Sequence, residues 1–344
     1  MPTEVVHLPE TIDAVLGEAR VIYLILYVND LAVSRAFYEE QLGLRVIEAD
    51  EASVKFDAGQ VILALQLASD YGIALVGRHD DSSDVVFLVD DINAVRADLE
   101  ARGVTFVRRR TYEIGLVTDF YDPNGHRLMI YQPSTIALGW PSAEKLRHVW
   151  RAAGVGSANL IGPASRALAP GEQHHGLDGK PLAYLFMFVP NSDDALAFYQ
   201  RDLGLRVIER VHCCNPACPP EEKGIVKYDV GGMLLTTHHI HRSPVVDDFG
   251  RIYSPRSVDR EHTKGIAPVF LVSGIRELVE RLAERGVDVR NGVVKSQIGD
   301  VARLQATTGH AFILWEPWTA ALQWPSGIKL GQILQAAAVA GERP

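Results

Sequence analysis

Leu42-Gly43-Leu44-Arg45-Val46-Ile47-Glu48 returns letter for letter as Leu203-Gly204-Leu205-Arg206-Val207-Ile208-Glu209. An identical heptad at two distant places in one chain marks a duplication, and its surroundings extend it. Ala36-Phe37-Tyr38 recurs as Ala197-Phe198-Tyr199, an offset of 161. Phe56-Asp57 matches Tyr228-Asp229 at 172, and Val86-Phe87-Leu88-Val89 matches Val269-Phe270-Leu271-Val272 at 183. Trp140-Pro141-Ser142 returns as Trp324-Pro325-Ser326 at 184. The growing offset places two insertions of 11 residues in the second copy, between 209 and 228 and between 238 and 265.

Each copy divides again. Residues 23–29 read as a buried strand rich in β-formers. Asn29 or Asp30 caps a helix that carries Val33, Phe37 and Leu42 at helical spacing, with Gly43 as its stop. Short strands follow near 45–49, 53–57 and 61–67. Residues 84–89 are strand again, Asp91 caps a helix over 92–102, and Gly103 ends it. Strands near 104–108, 116–121 and 126–131 complete the copy. The turn Asp122-Pro123-Asn124-Gly125 supplies the positive φ a tight hairpin needs. Each copy is therefore βαβββ twice, and the class is α+β.

Composition bounds the rest. The 344 residues are 47% hydrophobic and 22% charged, which excludes disorder, collagen-like repeats and coiled coil. Net charge is -9, and the run Arg108-Arg109-Arg110 is too short for a phosphate-tracking face, so nucleic acid is not an expected partner. No apolar run approaches the roughly 20 residues that cross a bilayer, so no membrane partner is expected. The first 20 residues carry acids and a Pro instead of a basic and then apolar stretch. Cys213, Cys214 and Cys218 sit too close together for a disulfide framework. These readings point to a cytoplasmic protein.

Phe-Tyr on the first helix, Leu-Gly-Leu after it and Asp-Pro-Asn-Gly-His before the last strand, in that order, resemble the vicinal oxygen chelate superfamily. This is the superfamily of glyoxalase I, bleomycin-resistance proteins and extradiol dioxygenases. The resemblance covers 21–133 and 182–317. It implies four βαβββ units forming two glyoxalase-like β-cups, each cup closed by two units. The expected division is an N-terminal extension (1–20), a first module (21–133), a connector with a helix (134–180), a second module (181–317) and a C-terminal tail helix (318–344). The helices of the connector and tail, 143–153 and 327–339, are expected on the outside of the cups. Residues 164–179 read as an exposed linker. A homodimer is a partner the resemblance alone implies.

In metal-dependent relatives, the resemblance places His, Glu or Gln on the first and last strand of each unit. Registered on its own motifs, this chain has Tyr23, Ala64, Asp84 and Met129 there in the first copy, and Tyr184, Thr236, Ala267 and Ile313 in the second. A divalent ion needs three or four converging N, O or S ligands, so the family metal is not expected in either cup. Strand alternation turns Tyr23, Ile25, Tyr27, Val86, Leu88, Met129 and Tyr131 inward in the first copy, with Gln66, Asp84 and Arg127 as polar points. In the second copy it turns Tyr184, Phe186, Phe188, Leu234, Val269, Leu271, Ile313 and Trp315 inward, with Thr236 and His238. These rings either line a small-molecule pocket or fill a collapsed cup as core.

The insertions hold further candidates. His212-Cys213-Cys214 with Cys218, and His238-His239-Ile240-His241 with His262, carry the right atoms for iron, manganese or zinc. His238 is inward by register and is the candidate base, with Tyr184 as its partner. His126 and His310 follow turn glycines and are read as turn residues, while His79 and His262 stand in loops near a cup rim. The leading expectation is a protein that binds an apolar or aromatic small molecule without a cofactor, in the manner the bleomycin-resistance resemblance implies. The alternative is a metal-dependent extradiol-type dioxygenase or lyase using His238, His239, His241 and His262. A scaffold with both cups collapsed is the third.

Overall fold

The computed structural model describes residues 15–75, 80–153, 176–211, 224–240, 245–246, 248, 252–253 and 265–339. The first unit is β1 (Arg20–Val28), α1 (Leu31–Ala36) continued by a π-helical turn over Phe37–Gln41, β2 (Val46–Ala49), β3 (Ser53–Asp57) and β4 (Ile62–Leu67). The second is β5 (Asp80–Leu88), α2 (Ile92–Ala101), β6 (Phe106–Tyr112), β7 (Gly115–Tyr121) and β8 (His126–Pro133), followed by α3 (Ala143–Ala152). The third is β9 (Leu182–Val189), α4 (Ser192–Leu196), β10 (Arg206–Val211), β11 (Ile225–Asp229) and β12 (Leu234–His239). A two-stranded pair, β13 (Val245–Val246) and β14 (Ile252–Tyr253), lies in the second insertion. The fourth unit is β15 (Ile266–Leu271), α5 (Ile275–Glu284), β16 (Asp288–Lys295), β17 (Gly299–Gln305) and β18 (Ala311–Pro317), and α6 (Pro325–Val339) follows. Asp30, Asp91 and Asn191 accept the first free helix amides, as their place before each helix requires.

The pairing of units departs from the expected order. One eight-stranded sheet runs β16-β17-β18-β15-β1-β4-β3-β2 and joins the fourth unit to the first. The other runs β10-β11-β12-β9-β5-β8-β7-β6 and joins the third to the second. The two units of one copy therefore do not close a cup together. The joints are antiparallel, Tyr23 opposite Val269 in the 1–4 sheet and Val86 opposite Tyr184 in the 2–3 sheet. The first strands of all four units carry the same period-2 pattern, so either pairing satisfies their burial equally well. Which edges meet is decided by how the two sheets pack.

That packing is one continuous core. Leu24, Leu26 and Val28 of β1, Phe87 of β5, Leu128 and Ile130 of β8 and Leu185 of β9 join Phe37, Leu99, Phe198 and Leu282 from the helical segments, all buried. The turns interlock as well: Val21 N donates to Val230 O at 2.8 Å, and Leu182 N donates to Ala58 O at 3.0 Å. A Cβ built on Gly232 would stand 2.3 Å from the Gln60 carbonyl oxygen, so this crossing requires glycine. Among the described residues no helix is long and apolar enough to cross a membrane.

The expectation that the two Trp-Pro-Ser helices lie outside the cups is overturned. Leu146, Val149 and Trp150 of α3 bury against Val86, Leu88, Tyr131, Tyr184 and Leu234, on the inner face of the 2–3 sheet. Leu330 and Leu334 of α6, with Ala321, cover Ile25, Tyr27, Val269, Ile313 and Trp315 on the inner face of the 1–4 sheet. An apolar helix stripe removes more surface from water on a concave apolar face than on a polar exterior.

Candidate functional site

Both helices are held in place by the same cluster. Ser142 N donates to Glu209 Oε2 at 2.9 Å, and Lys227 Nζ donates to Ser142 Oγ at 3.0 Å. Lys227 also pairs with Glu209 and lies 4.9 Å from the Trp140 ring centroid. In the 1–4 cup, Ser326 N donates to Glu48 Oε2 at 3.0 Å, and Lys55 Nζ reaches Ser326 Oγ at 3.2 Å and Glu48 at 2.6 Å, beside Trp324. A second ion pair repeats too, Lys145 with Asp229 and Lys329 with Asp57. Glu209 and Glu48 each meet the positive end of a helix as well as an ammonium. Burial would raise the Glu48 carboxyl, but Lys55 and Ser326 outweigh it and hold its pKa below the ordinary value. Tyr23 and Tyr184 lie under these clusters. Burial pushes Tyr23 up to about 12 and Tyr184 well above 10, so both are neutral phenols.

The family's metal positions can now be regrouped by sheet. In the 2–3 cup they are Asp84, Met129, Tyr184 and Thr236, and in the 1–4 cup Tyr23, Ala64, Ala267 and Ile313. Neither set suits a divalent ion. Asp84 accepts from Arg127 Nε at 2.6 Å and Nη2 at 2.7 Å, Tyr184 is a protonated phenol, and Met129 offers a thioether. Among the described residues no group of three His, Cys, Asp or Glu side chains gathers elsewhere.

The end of the 2–3 cup away from α3 carries most of the remaining chemistry. Arg127 is 2% exposed, paired to Asp84 and 3.6 Å from Asp119, which in turn binds Arg108. Burial alone would favour a neutral guanidine, but the two carboxylates outweigh it and keep Arg127 charged. The Phe188 and His238 rings pack at a tilt of 42° with centroids 5.3 Å apart, and the half-buried Phe186 lies beside them. Thr236 Oγ1 is buried there with no hydrogen-bond partner among the described residues. Leaving a buried hydroxyl unpaired costs about 1–3 kcal/mol, so the position favours an incoming polar group.

The corresponding end of the 1–4 cup differs. Ala68, Ile73 and Leu75 fold over it, Tyr71 packs on Tyr27 at 5.1 Å, and Arg303 lies 4.7 Å from the Tyr71 ring centroid. Trp315 sits at the base against Tyr23, 5.7 Å between centroids.

The sequence candidates are thus split between cups. Tyr23, Tyr27, Gln66, Ile313 and Trp315 belong to the 1–4 sheet, and Asp84, Met129, Tyr131, Tyr184, Phe186, Phe188, Thr236 and His238 to the 2–3 sheet. Tyr184 and His238 are not brought together as base and partner. Leu234, opposite Tyr184, is four residues from His238, roughly 13 Å along a strand, and Phe186 stands between. The His238 and His239 rings are 5.2 Å apart, while His79, His241, His262 and the three cysteines lie outside the described residues. His126 and His310 are more than turn residues: each bridges the two sheets, His126 Nε2 to Tyr27 O at 2.7 Å and His310 Nε2 to Ser82 O at 3.2 Å.

The helix-holding clusters, the Arg108–Asp119 pair and Arg303 lie outside the sequence candidates. Glu48 with Glu209 and Lys55 with Lys227 recur at the repeat offsets inside apolar strands, which was the available signal.

Residues 20–130 match the family model described as Glyoxalase/Bleomycin resistance protein/Dioxygenase superfamily. No curated protein matches the chain. Among solved structures, glyoxalase I from Zea mays is similar over 92% of this chain and 96% of its own, at 11% identity and a TM-score of 0.53. A point mutant of that maize enzyme covers 87% and 94% at 13% identity and 0.52. A Bacillus subtilis protein provisionally described as a dioxygenase covers 88% and 86% at 11% identity and 0.50. At these identities the likeness is one of fold.

Proposed function

We propose that this chain, whose residues 20–130 match the glyoxalase/bleomycin resistance protein/dioxygenase superfamily model, binds a neutral aromatic small molecule in the 2–3 cup, without the family's metal. The observation that carries this reading is the unpartnered Thr236 hydroxyl beside Phe186, Phe188 and His238. Stacking surface with one or two unmet polar groups is the composition of a small-molecule pocket. Two arginines of this sheet are matched by carboxylates, Arg127 by Asp84 and Arg108 by Asp119, and Arg110 donates to the Tyr112 hydroxyl, which favours a neutral ligand at the Arg127 end over an anion. The residues at the family metal positions supply no divalent donor set, so the reading rests on shape, stacking and hydrogen bonds.

Calorimetric titration with 2-naphthol and naphthalene tests it. Phe188→Ala should weaken both at least about tenfold, and Thr236→Val should weaken 2-naphthol while sparing naphthalene. Elemental analysis of untagged protein should find less than about a tenth equivalent of iron, manganese or zinc. Stoichiometric metal, or naphthol affinity indifferent to both variants, would sink this reading.

A further inference from the structure

The two cups diverge at one set of equivalent positions. Asp84, Asp119 and Arg127 of the 2–3 cup correspond to Ala267, Arg303 and Ala311 of the 1–4 cup, since Asp119 faces Met129 as Arg303 faces Ile313. The 2–3 cup thus holds Arg127 and Arg108 beside carboxylates, and the 1–4 cup has exchanged both acids away and gained a guanidinium at 303. Arg303 is half-buried, and no carboxylate among the described residues lies within ion-pair distance of it. The Tyr71 ring lies against the guanidinium at 4.7 Å, an arrangement that orders the cation and leaves its edge to donate. The buried Tyr27 hydroxyl faces the Arg303 guanidinium without a well-formed hydrogen bond to it, and Gln66 is its register partner on β4.

The surrounding charges do not cancel the site. Arg290, opposite Arg303 on β16, adds positive charge and reaches its own Asp288 at 3.6 Å. Asp70, next to Tyr71 in sequence, is exposed, and no ion pair between it and Arg303 forms. We infer that the 1–4 cup holds an anion site, in which Arg303 receives the carboxylate of a small aromatic or apolar acid, Tyr27 and Gln66 complete its hydrogen bonds, and Tyr71 flanks its apolar part. Desolvated guanidinium–carboxylate contacts are strong and bidentate, whereas a neutral amide of equal shape gains only the apolar part.

Calorimetric titration of the intact protein with benzoate and with benzamide tests this site. Benzoate should bind with an affinity that falls as salt rises, and benzamide should bind at least about tenfold more weakly. Arg303→Gln, at unchanged melting temperature, should weaken benzoate by a similar factor. Arg303→Lys should recover part of the loss, because it keeps the charge and loses the fork. Tyr27→Phe should weaken benzoate to a smaller degree. No benzoate binding at about 10 mM, equal binding of benzamide, or unaltered affinity in both Arg303 variants would each overturn the inference. The 2-naphthol titration reads the other cup, so either site can fail without the other.

Discussion

At the residue scale, His310 shows how one imidazole can tie the two sheets together. The Ser82 carbonyl can only accept, so Nε2 carries the proton and Nδ1 accepts from the Thr308 hydroxyl at 3.0 Å. Tyr199 extends the chain to Thr308 at 3.3 Å. Burial lowers the His310 pKa from 6.5 to about 4, the Ser82 contact opposing it in part. The folded state therefore refuses a proton that the unfolded state accepts, so stability falls as pH drops from about 6.5 towards 4 and then levels. The loss from this group is up to roughly 3 kcal/mol. Urea midpoints between pH 4 and 7 should show this slope in the native protein and a shallower one in His310→Gln. An identical slope in both would remove His310 as its source.

At the element scale, the Trp-Pro-Ser helices matter most, because each converts half of a cup from cavity into core. Their anchors are unequal in burial: Lys227 and Glu209 side chains are 8% and 0% exposed, Lys55 and Glu48 both 13%. Removing one partner of a buried pair strands the other charge at a cost of about 3–5 kcal/mol, while replacing both by apolar groups is near neutral. Glu209→Gln should therefore lower stability by about that amount, Glu48→Gln by less, and Glu209→Leu with Lys227→Met should restore much of it. Denaturant unfolding of the four proteins checks the order, and equal losses for Glu209→Gln and Glu48→Gln would contradict the burial argument. The repeat offsets made these residues legible as a pair of strand charges. Their purpose was not legible, since α3 and α6 reach strands distant in sequence.

At the scale of the whole molecule, units 1 and 4 share one sheet and units 2 and 3 the other, so neither half of the sequence closes a cup by itself. A fragment spanning 1–160 would present the inner edges of β1 and β5 unpaired, and exposed strand edges recruit partners. Light scattering should find this fragment dimeric or aggregated, and mixing it with the 161–344 fragment should yield a 1:1 complex. A fragment that stays monomeric and folds as stably as the full chain would show that the two units of one copy can close a cup unaided.

The sequence by itself determined the duplication, the four βαβββ units, the helix caps, and which side chains of Tyr23, Tyr27, Phe186 and Trp315 type face inward. These are local: period-2 alternation, capping side chains and turn glycines act within a few residues. Only the tertiary structure decided which units share a sheet, that α3 and α6 enter the cups, and that Arg127 is matched by Asp84 while Arg303 meets an aromatic ring. The four first strands offer equivalent edges, and an amphipathic stripe fits either side of a sheet. Packing alone chooses among such equals, because the choice depends on apolar surface and charge brought together from distant parts of the chain.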